Sequence, residues 1–444
     1  MIPGTETVDL LIESRWIAPV EPNVLLENHA IAVRRGRIVA LLPASAARER
    51  FQATDTLQLD DHILIPGLIN LHTHAAMSLM RGLADDLPLM TWLQQHIWPT
   101  EAALVSPEFV RDGTLLACAE MLLGGITCFN DMYFFPDAAA EAVDRSGIRA
   151  ALGLTVLDFP NAYASDADDY LNKGLATRER WLNHPRLSFC LAPHAPYTVG
   201  NRSFQRVQTL ADQLDLPIHL HIHETQDEIN DSESRFGLRP LARLDQLGLL
   251  GPNLIGVHAV HLLPTEIELL AKRGCHIAHC PSSNLKLGSG IAPVPALQAA
   301  GINIGLGTDG AASNNRLDLF AEMRLAALLG KGCTGSPTTL NALAILDMAT
   351  LNGARALGLE KRIGSLKPGK QADICAIDLS GPICQPCYNP LSHLAYVAGR
   401  EQVSHVWVDG KQCVNNGALT LLHSAELKKT ALLWQNRTSA RPAV

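Results

Sequence analysis

Two histidines separated by a single residue, His72 and His74, are the first side chains in the sequence whose spacing indicates chemistry. They follow the apolar run IPGLIN, which is typical of a buried strand. Residues two apart in a strand point to the same face, so both imidazoles can reach one ion. The pair therefore predicts a metal site.

Further metal-binding side chains follow other apolar runs. PIHLHIHE carries His219, His221 and His223, and NIGLGTD ends on Asp309. We expect His221 and Asp309 to be the remaining ligands, His219 to pack deeper among the strands, and His223 to lie beyond the strand end. Imidazole and carboxylate ligands favour zinc, with iron, cobalt or manganese as alternatives, and three or four ligands leave room for a water.

The elements that must position these groups alternate along the middle of the chain. From residue 65 to 364, apolar β-type runs alternate with segments that have helical apolar spacing. This alternation predicts an α/β fold, a (β/α)₈ TIM-like barrel, in which the strand ends form one mouth and bring the site together. A doubly wound open sheet is the alternative, although no G-x-G-x-x-G follows the first strand.

The sequence pattern at both chain ends differs from that of the middle part, because short β-type runs are interrupted by glycine, proline and asparagine. Examples are ADICAI at 372–377 and VSHVWV at 403–408, which Asp409-Gly410 follows as a hairpin signal. We expect residues 1–64 and 365–444 to form one small composite β-sandwich domain beside the barrel of 65–364.

Composition excludes several classes of function. The 444 residues are 47% hydrophobic and carry a net charge of −8 without a basic stripe, which argues against a nucleic-acid partner. There is no apolar run of membrane-spanning length and no secretory signal pattern, so we expect no membrane partner. Ten cysteines lie mostly singly in apolar stretches, which favours a reduced cytoplasmic protein. The lone pair Cys384 and Cys387 is weak support for a metal or redox site.

Several motifs in order resemble the amidohydrolase superfamily. Within it, the chain is most similar to the branch of 5′-methylthioadenosine/S-adenosylhomocysteine deaminases and related chlorohydrolases. The resemblance covers nearly the whole chain and rests on these segments: PGLINLHTHAAMSLMRG, HLHIHETQDE, VHAVHL, HCPSSNLKLGSG, GLGTDGAASNNRLDLFAEMR and GSLKPGKQADICAIDL.

The resemblance implies one divalent metal per subunit. Its ligands would be His72, His74, His221 and Asp309, with zinc favoured. Members with two metals use a carboxylated lysine on the fourth strand. The corresponding run here, RLSFCLAPH, has no lysine, and Lys173 is the only lysine between residues 134 and 220.

The resemblance also implies the catalytic residues. Glu224 matches a proton-shuttling glutamate, and His258 matches a histidine that polarises or orients the attacked group. Asp309 and Glu224 would accept the proton of the attacking water. Glu224 would then protonate the ring nitrogen beside the attacked carbon.

Substrate contacts follow from the same branch. Glu101 in HIWPTEAAL resembles a glutamate that holds ribose hydroxyls, and His194 in LAPHAPYTV resembles a histidine near the sugar and base. Trp92 would line the pocket, with helix packing as the alternative. Glu224 would also contact the base.

The expected reaction is hydrolytic deamination of an adenine nucleoside, giving the inosine analogue and ammonia. The substrate would be 5′-methylthioadenosine, S-adenosylhomocysteine or adenosine. A guanine or cytosine deaminase, or a triazine hydrolase, would use the same metal core, and a non-catalytic barrel assembly protein is a further alternative. Glu101 discriminates, because a free base has no ribose diol. Relatives are often dimers or tetramers, so a homo-oligomer is an open prediction.

Overall fold

The computed structural model describes residues 5–439. The strands are β1 (Glu6–Ile17), β2 (Leu26–Arg34), β3 (Arg37–Pro43), β4 (Phe51–Pro66), β5 (Leu68–Thr73), β6 (Ile126–Asp131), β7 (Arg149–Val156), β8 (Leu187–Pro193), β9 (Ile218–Ile222), β10 (Leu254–His258), β11 (His276–His279), β12 (Asn303–Leu306), β13 (Ile374–Asp378), β14 (Val403–Val408), β15 (Lys411–Asn415) and β16 (Ala418–Leu419).

The α-helices lie mostly between the strands of the chain's middle part. They are α1 (Ala44–Arg50), α2 (Leu89–Trp92), α3 (Trp98–Leu104), α4 (Pro107–Leu123), α5 (Pro136–Ser146), α6 (Ala167–Trp181), α7 (Asn201–Leu214), α8 (Gln226–Phe236), α9 (Pro240–Gln246), α10 (Pro264–Arg273), α11 (Pro281–Lys286), α12 (Val294–Ala299), α13 (Leu319–Thr334), α14 (Ala342–Ala349), α15 (Leu351–Ala356), α16 (Pro390–Tyr396) and α17 (Ser424–Ser439). Short 3₁₀ segments occur at Ala75–Met80, Pro382–Cys384 and Arg400–Gln402, and a π-helical turn at Leu93–Ile97 links α2 to α3.

Strands β5 to β12 form an eight-stranded parallel barrel, as the sequence predicts. Their order in the sheet is their order in the chain. Every residue of β5, β6 and β7 is buried, which explains why these strands are continuous apolar runs with no alternation. The intervening helices are amphipathic: α7, for example, buries Phe204, Val207 and Ala211, which are three and four residues apart.

Hydrogen bonds between the loop after β12 and strand β5 bring the two ends of the barrel sheet together. The backbone N–H of Asp309 donates to the carbonyl of His72 at 3.0 Å. The side chain of Asn70 accepts from the N–H of Thr308 at 2.9 Å and donates to its hydroxyl at 2.7 Å. These bonds fix Asp309 beside the first pair of histidines.

The remaining eight strands form one mixed sheet built from both ends of the chain, which confirms the predicted second sheet. Its order is β16-β15-β14-β13-β4-β1-β2-β3. Strand β1 pairs with β4 in parallel and with β2 in antiparallel orientation. Ile12, Ile31, Leu64, Ile374 and Trp407 belong to one buried cluster on this sheet.

The chain divides into two compact units. One takes in the residues up to 69 with 121–128 and 318–421, and the other takes in 70–120, 129–317 and the residues after 421. The division of the sequence at 64/65 and 364/365 stays a prediction. Within residues 5–439, no helix is both long and apolar enough to cross a membrane.

The charges of SDADDYLNKG at 165–174 predict a loop, either solvated surface or a loop that closes over the 5′ side of the pocket, but the segment is largely helical. Helix α6 begins at Ala167, and the Asp166 side chain caps it by accepting from the N–H of Asp169 at 3.0 Å. Tyr170 is completely buried. The helix forms because the acidic residues of its first turn complement the helix dipole while the tyrosine packs inward.

Candidate active site

Four predicted ligands meet at the carboxyl ends of three barrel strands. Oδ1 of Asp309 lies 3.2 Å from Nε2 of His72 and 3.3 Å from Nε2 of His74. Nε2 of His221 lies 3.2 Å from Nε2 of His72. These four atoms lie close enough together to bind one cation.

Hydrogen bonds on the far side of each ring orient the histidines. Nδ1 of His74 donates to the carbonyl of Met132 at 2.6 Å, and Nδ1 of His221 donates to the carbonyl of His194 at 2.8 Å. A carbonyl only accepts, so each Nδ1 carries the proton and each Nε2 keeps its lone pair. Burial lowers the pKa of His72 to about 4, so its imidazole is neutral and able to bind metal.

Asp309 is held by donors on both carboxylate oxygens. Its Oδ2 accepts from the hydroxyls of Ser283 at 2.6 Å and Ser313 at 2.8 Å. Its Oδ1 accepts from the N–H of Gly310 at 2.7 Å and faces the histidines. Because both serines bind Oδ2, Oδ1 is the oxygen that can bind a cation.

The donor set fits zinc. Three imidazoles and one carboxylate match the nitrogen and oxygen ligands that zinc takes in catalytic sites. No lysine lines this site within residues 5–439, and Lys173 instead pairs with Asp169 at 2.8 Å. A single zinc ion is therefore the cofactor that these residues support.

Glu224 and His258 face the same point from neighbouring strands. Oε2 of Glu224 lies 3.8 Å from Nε2 of His258, whose Nδ1 donates to Oδ1 of Asn284 at 2.8 Å. Asn284 therefore fixes the imidazole with Nε2 facing the glutamate. Burial raises the pKa of Glu224, which makes its carboxylate a better proton acceptor than an ordinary glutamate.

A cavity of about 480 Å³ opens above these groups. All but one of the predicted site residues line it: His74, Trp92, Glu101, His194, His221, Glu224, His258 and Asp309. His72 lies beneath, with no exposed surface. Side chains distant in sequence thus share one chamber, as strand-end placement in a barrel predicts.

Glu101 lies in the wall of this cavity, on α3. Its Oε1 accepts from the hydroxyl of Tyr133 at 2.8 Å, and burial raises the pKa of its carboxyl to about 7. Trp92 is buried and also lines the cavity, so it takes part both in helix packing and in the pocket wall. His194 lies just past β8, where its carbonyl orients His221 and its ring contacts the Thr198 hydroxyl.

Several residues that hold the site are not predicted from the sequence. They are Asp131, Tyr133, Ser283, Asn284 and Ser313. Asp131, the last residue of β6, accepts from the N–H of Ala75 at 2.8 Å and so holds the turn after the first histidine pair. Polar residues at a strand end were the available signal, in ITCFNDMY as well as in HCPSSN and GTDGAAS.

Comparison with known proteins agrees with this geometry. The sequence profile described as the amidohydrolase family matches residues 63–413. The chain belongs to the amidohydrolase family. One family member, the 5-methylthioadenosine/S-adenosylhomocysteine deaminase of Teredinibacter turnerae, is 47% identical over 99% of both chains. The deaminase of the same name from Saccharophagus degradans is also 47% identical, over 98% of both chains.

Solved structures of this amidohydrolase fold extend the comparison. An adenosine deaminase from Xanthomonas campestris with bound zinc is 51% identical, with a TM-score of 0.97 over 98% of this chain and 100% of that one. An atrazine chlorohydrolase from Arthrobacter aurescens complexed with zinc is 25% identical, with a TM-score of 0.89 over 96% and 99%. The zinc-bound relatives include both a deaminase and a chlorohydrolase. The zinc site alone therefore does not identify the substrate, and the residues that line the cavity have to be considered as well.

Proposed function

We propose that this amidohydrolase removes the 6-amino group of an adenine nucleoside by zinc-dependent hydrolysis, giving the inosine analogue and ammonia. The observation that carries the proposal is that one cavity joins the metal donors and Glu224 to the carboxyl of Glu101. The metal donors and Glu224 can serve any hydrolytic deamination. A half-buried glutamate in the wall of the same cavity suits a ligand with a diol, as ribose has. Names of relatives at 47% and 51% identity support the same reaction.

The ligands of the metal would be His72, His74, His221 and Asp309. When bound, zinc lowers the pKa of a coordinated water from 15.7 toward about 7 and so provides a nucleophile at neutral pH. Asp309 accepts two hydroxyls at Oδ2, and its Oδ1, which accepts from the N–H of Gly310, would also bind the metal. Glu224 is then the better placed of the two carboxylates to carry a proton onward.

Glu224 takes the proton of the attacking water and delivers it to the ring nitrogen beside C6. Its raised pKa suits a group that must both accept and release a proton. His258, held by Asn284, stabilises the charge that develops on the attacking oxygen. The amino group then leaves with a second proton as ammonia, and C6 keeps the oxygen.

Glu101, His194 and Trp92 would bind the nucleoside. The carboxylate of Glu101 accepts the two ribose hydroxyls, with Tyr133 fixing its orientation at 2.8 Å. His194, whose ring centroid lies 4.9 Å from that of His221, would contact the sugar and the base. Trp92 offers an apolar ring to the wall of the chamber.

Ultraviolet absorbance tests the proposed function, because conversion of adenine to hypoxanthine shifts the band and releases ammonia. The zinc-loaded protein should deaminate at least one of 5′-methylthioadenosine, S-adenosylhomocysteine and adenosine. Free adenine, guanine, cytosine and a chlorotriazine form the comparison set. A higher kcat/KM for a free base or for the triazine than for every nucleoside would overturn the proposal.

Location and assembly extend the proposal. We place the protein in the cytoplasm, which is supported by the burial of eight of the ten cysteines inside apolar segments. The only partner we propose is the small-molecule nucleoside. A homo-oligomer stays a prediction that light scattering can test.

A further inference from the structure

We propose that Glu228 is a positioning residue that sets the backbone of Glu224 for proton transfer. This inference rests on the proposed role of Glu224. Glu228 lies in the first turn of α8, four residues after the catalytic glutamate, and is 4% exposed. It is absent from the cavity wall, so it does not touch the substrate.

The contacts of Glu228 are directed at one short stretch of backbone. Its Oε1 accepts from the N–H of His223 at 2.8 Å, and its Oε2 accepts from the N–H of Glu224 at 2.9 Å. Both carboxylate oxygens are therefore engaged by consecutive amides. Burial raises the pKa of the Glu228 carboxyl to about 8, while the two backbone amides act in the opposite direction because they favour the carboxylate.

This arrangement differs from an ordinary capping box. Helix α8 is capped by Thr225, whose hydroxyl accepts from the N–H of Glu228 at 3.3 Å. In a capping box, the glutamate at the third helical position reaches back to the N–H of the cap residue itself. Here it reaches past the cap to the two preceding residues, one of which is Glu224. The carboxylate thus serves the catalytic loop in addition to the helix.

The loop needs such support because its backbone is turned sharply. His223 has φ of 51°, in the left-handed region that residues with a Cβ disfavour. Its ring is held on both sides: Nε2 accepts from the N–H of Leu241 at 3.1 Å, and Nδ1 donates to the carbonyl of His261 at 3.1 Å. The ring and Glu228 together fix the turn that aims Glu224 into the cavity.

The substitution Glu228→Gln tests this role. The glutamine has one accepting oxygen, and its NH₂ group faces the second amide, so one of the two bonds is lost. Because small misplacement of a catalytic group can cost about 100-fold in rate, we expect kcat to fall about 10- to 100-fold. We expect KM to change by less than about threefold and zinc to stay near one per chain. Amides 223 and 224 should exchange hydrogen faster in the variant.

Glu233→Gln is the matched control, because it is the same chemical change at an exposed position of the same helix. Its kcat, zinc content and amide exchange should equal those of the wild type. If Glu228→Gln yields no folded protein, Glu228→Asp replaces it, since aspartate keeps the charge but is one methylene too short to hold both amides.

A double-mutant cycle separates positioning from general structural support. If Glu228 acts through Glu224, adding Glu228→Gln to Glu224→Gln should lower kcat by less than about twofold, because residues that act as a unit are strongly non-additive. A full multiplicative loss, or a wild-type kcat in Glu228→Gln alone, overturns the inference. Failure of the proposed function is seen separately, as near-normal kcat in Glu224→Gln alone.

Discussion

Nδ1 of His72 lies 2.9 Å from Nε2 of His219, beneath the four metal-binding side chains. If Nε2 of His72 binds the metal through its lone pair, Nδ1 must carry the proton and is the donor to Nε2 of His219. His219 is completely buried and contacts His72 on the side away from Asp309. It is therefore an outer partner of the metal site, which refines the prediction that it packs deeper in the barrel.

His219→Ala should weaken zinc binding about 10- to 100-fold, since such outer partners fix ligand orientation and basicity. Competition with a zinc chelator measures the affinity. His219→Gln is the informative comparison, because its amide oxygen can still accept from His72 and should restore most of the affinity. His184→Ala, at a position outside the barrel, should leave the zinc affinity unchanged. Equal zinc affinity in His219→Ala and the wild type would contradict this assignment.

Glu224→Gln should keep its zinc and lose turnover. The amide cannot carry a proton, and positioned acid–base groups contribute about 10²- to 10⁴-fold in rate, so kcat should fall by that factor. Zinc content by metal analysis and ammonia release are the two measurements. His72→Ala supplies the contrast, because it should lose metal and activity together. A full metal complement in that variant would remove His72 from the ligand set.

Binding of the nucleoside should weaken as pH falls below about 7. Burial raises the pKa of Glu101 to about 7 from its ordinary 4.5, so acid converts the carboxylate to the neutral form within a physiological range. The neutral form is a poorer acceptor for the ribose hydroxyls. We expect kcat/KM to fall as much as about tenfold per pH unit below this value. A kcat/KM that stays constant between pH 5.5 and about 7.5 would show that Glu101 takes no part in substrate binding.

Glu101→Gln should raise KM about 10- to 100-fold, the effect of losing a charge-assisted hydrogen bond, and should flatten this acid limb. The same substitution should make stability less dependent on pH. The folded-state pKa lies above the unfolded one, so the wild type is relatively less stable as pH rises from 4.5 to about 7. Thermal melting across that window measures the difference between the two proteins.

Gly307→Ala should disturb the metal site from the backbone side. An added Cβ would lie 3.0 Å from the backbone nitrogen and Cβ of His72 and 2.9 Å from Sγ of Cys280. Overpacking of this kind costs about 1–3 kcal/mol of stability and should also lower zinc content. Gly332→Ala in α13 is the control, because nothing lies within 4 Å of its added Cβ and alanine favours helix.

The barrel could be predicted because its signal is local and repeated. ITCFND coincides with β6, and PIHLHI ends with β9. Buried parallel strands must be apolar throughout, so each stands out from the helices beside it. The loop predicted for 165–174 is wrong. The many charged residues hide the helical signal of the single buried Tyr170, whose packing depends on residues far away in the sequence.

The ligand types and the shared face of His72 and His74 can be predicted from the sequence, because alternation along a strand places both on one face. The family motifs predict Glu224, His258 and Glu101. The side chains that orient these groups are seen only in the folded chain: Ser283 and Ser313 on Asp309, His219 on His72, and Glu228 on the backbone of Glu224. These partners come from different strands and helices. Hydrogen bonds depend on distances of a few tenths of an ångström, which closure of the barrel sets and sequence spacing does not.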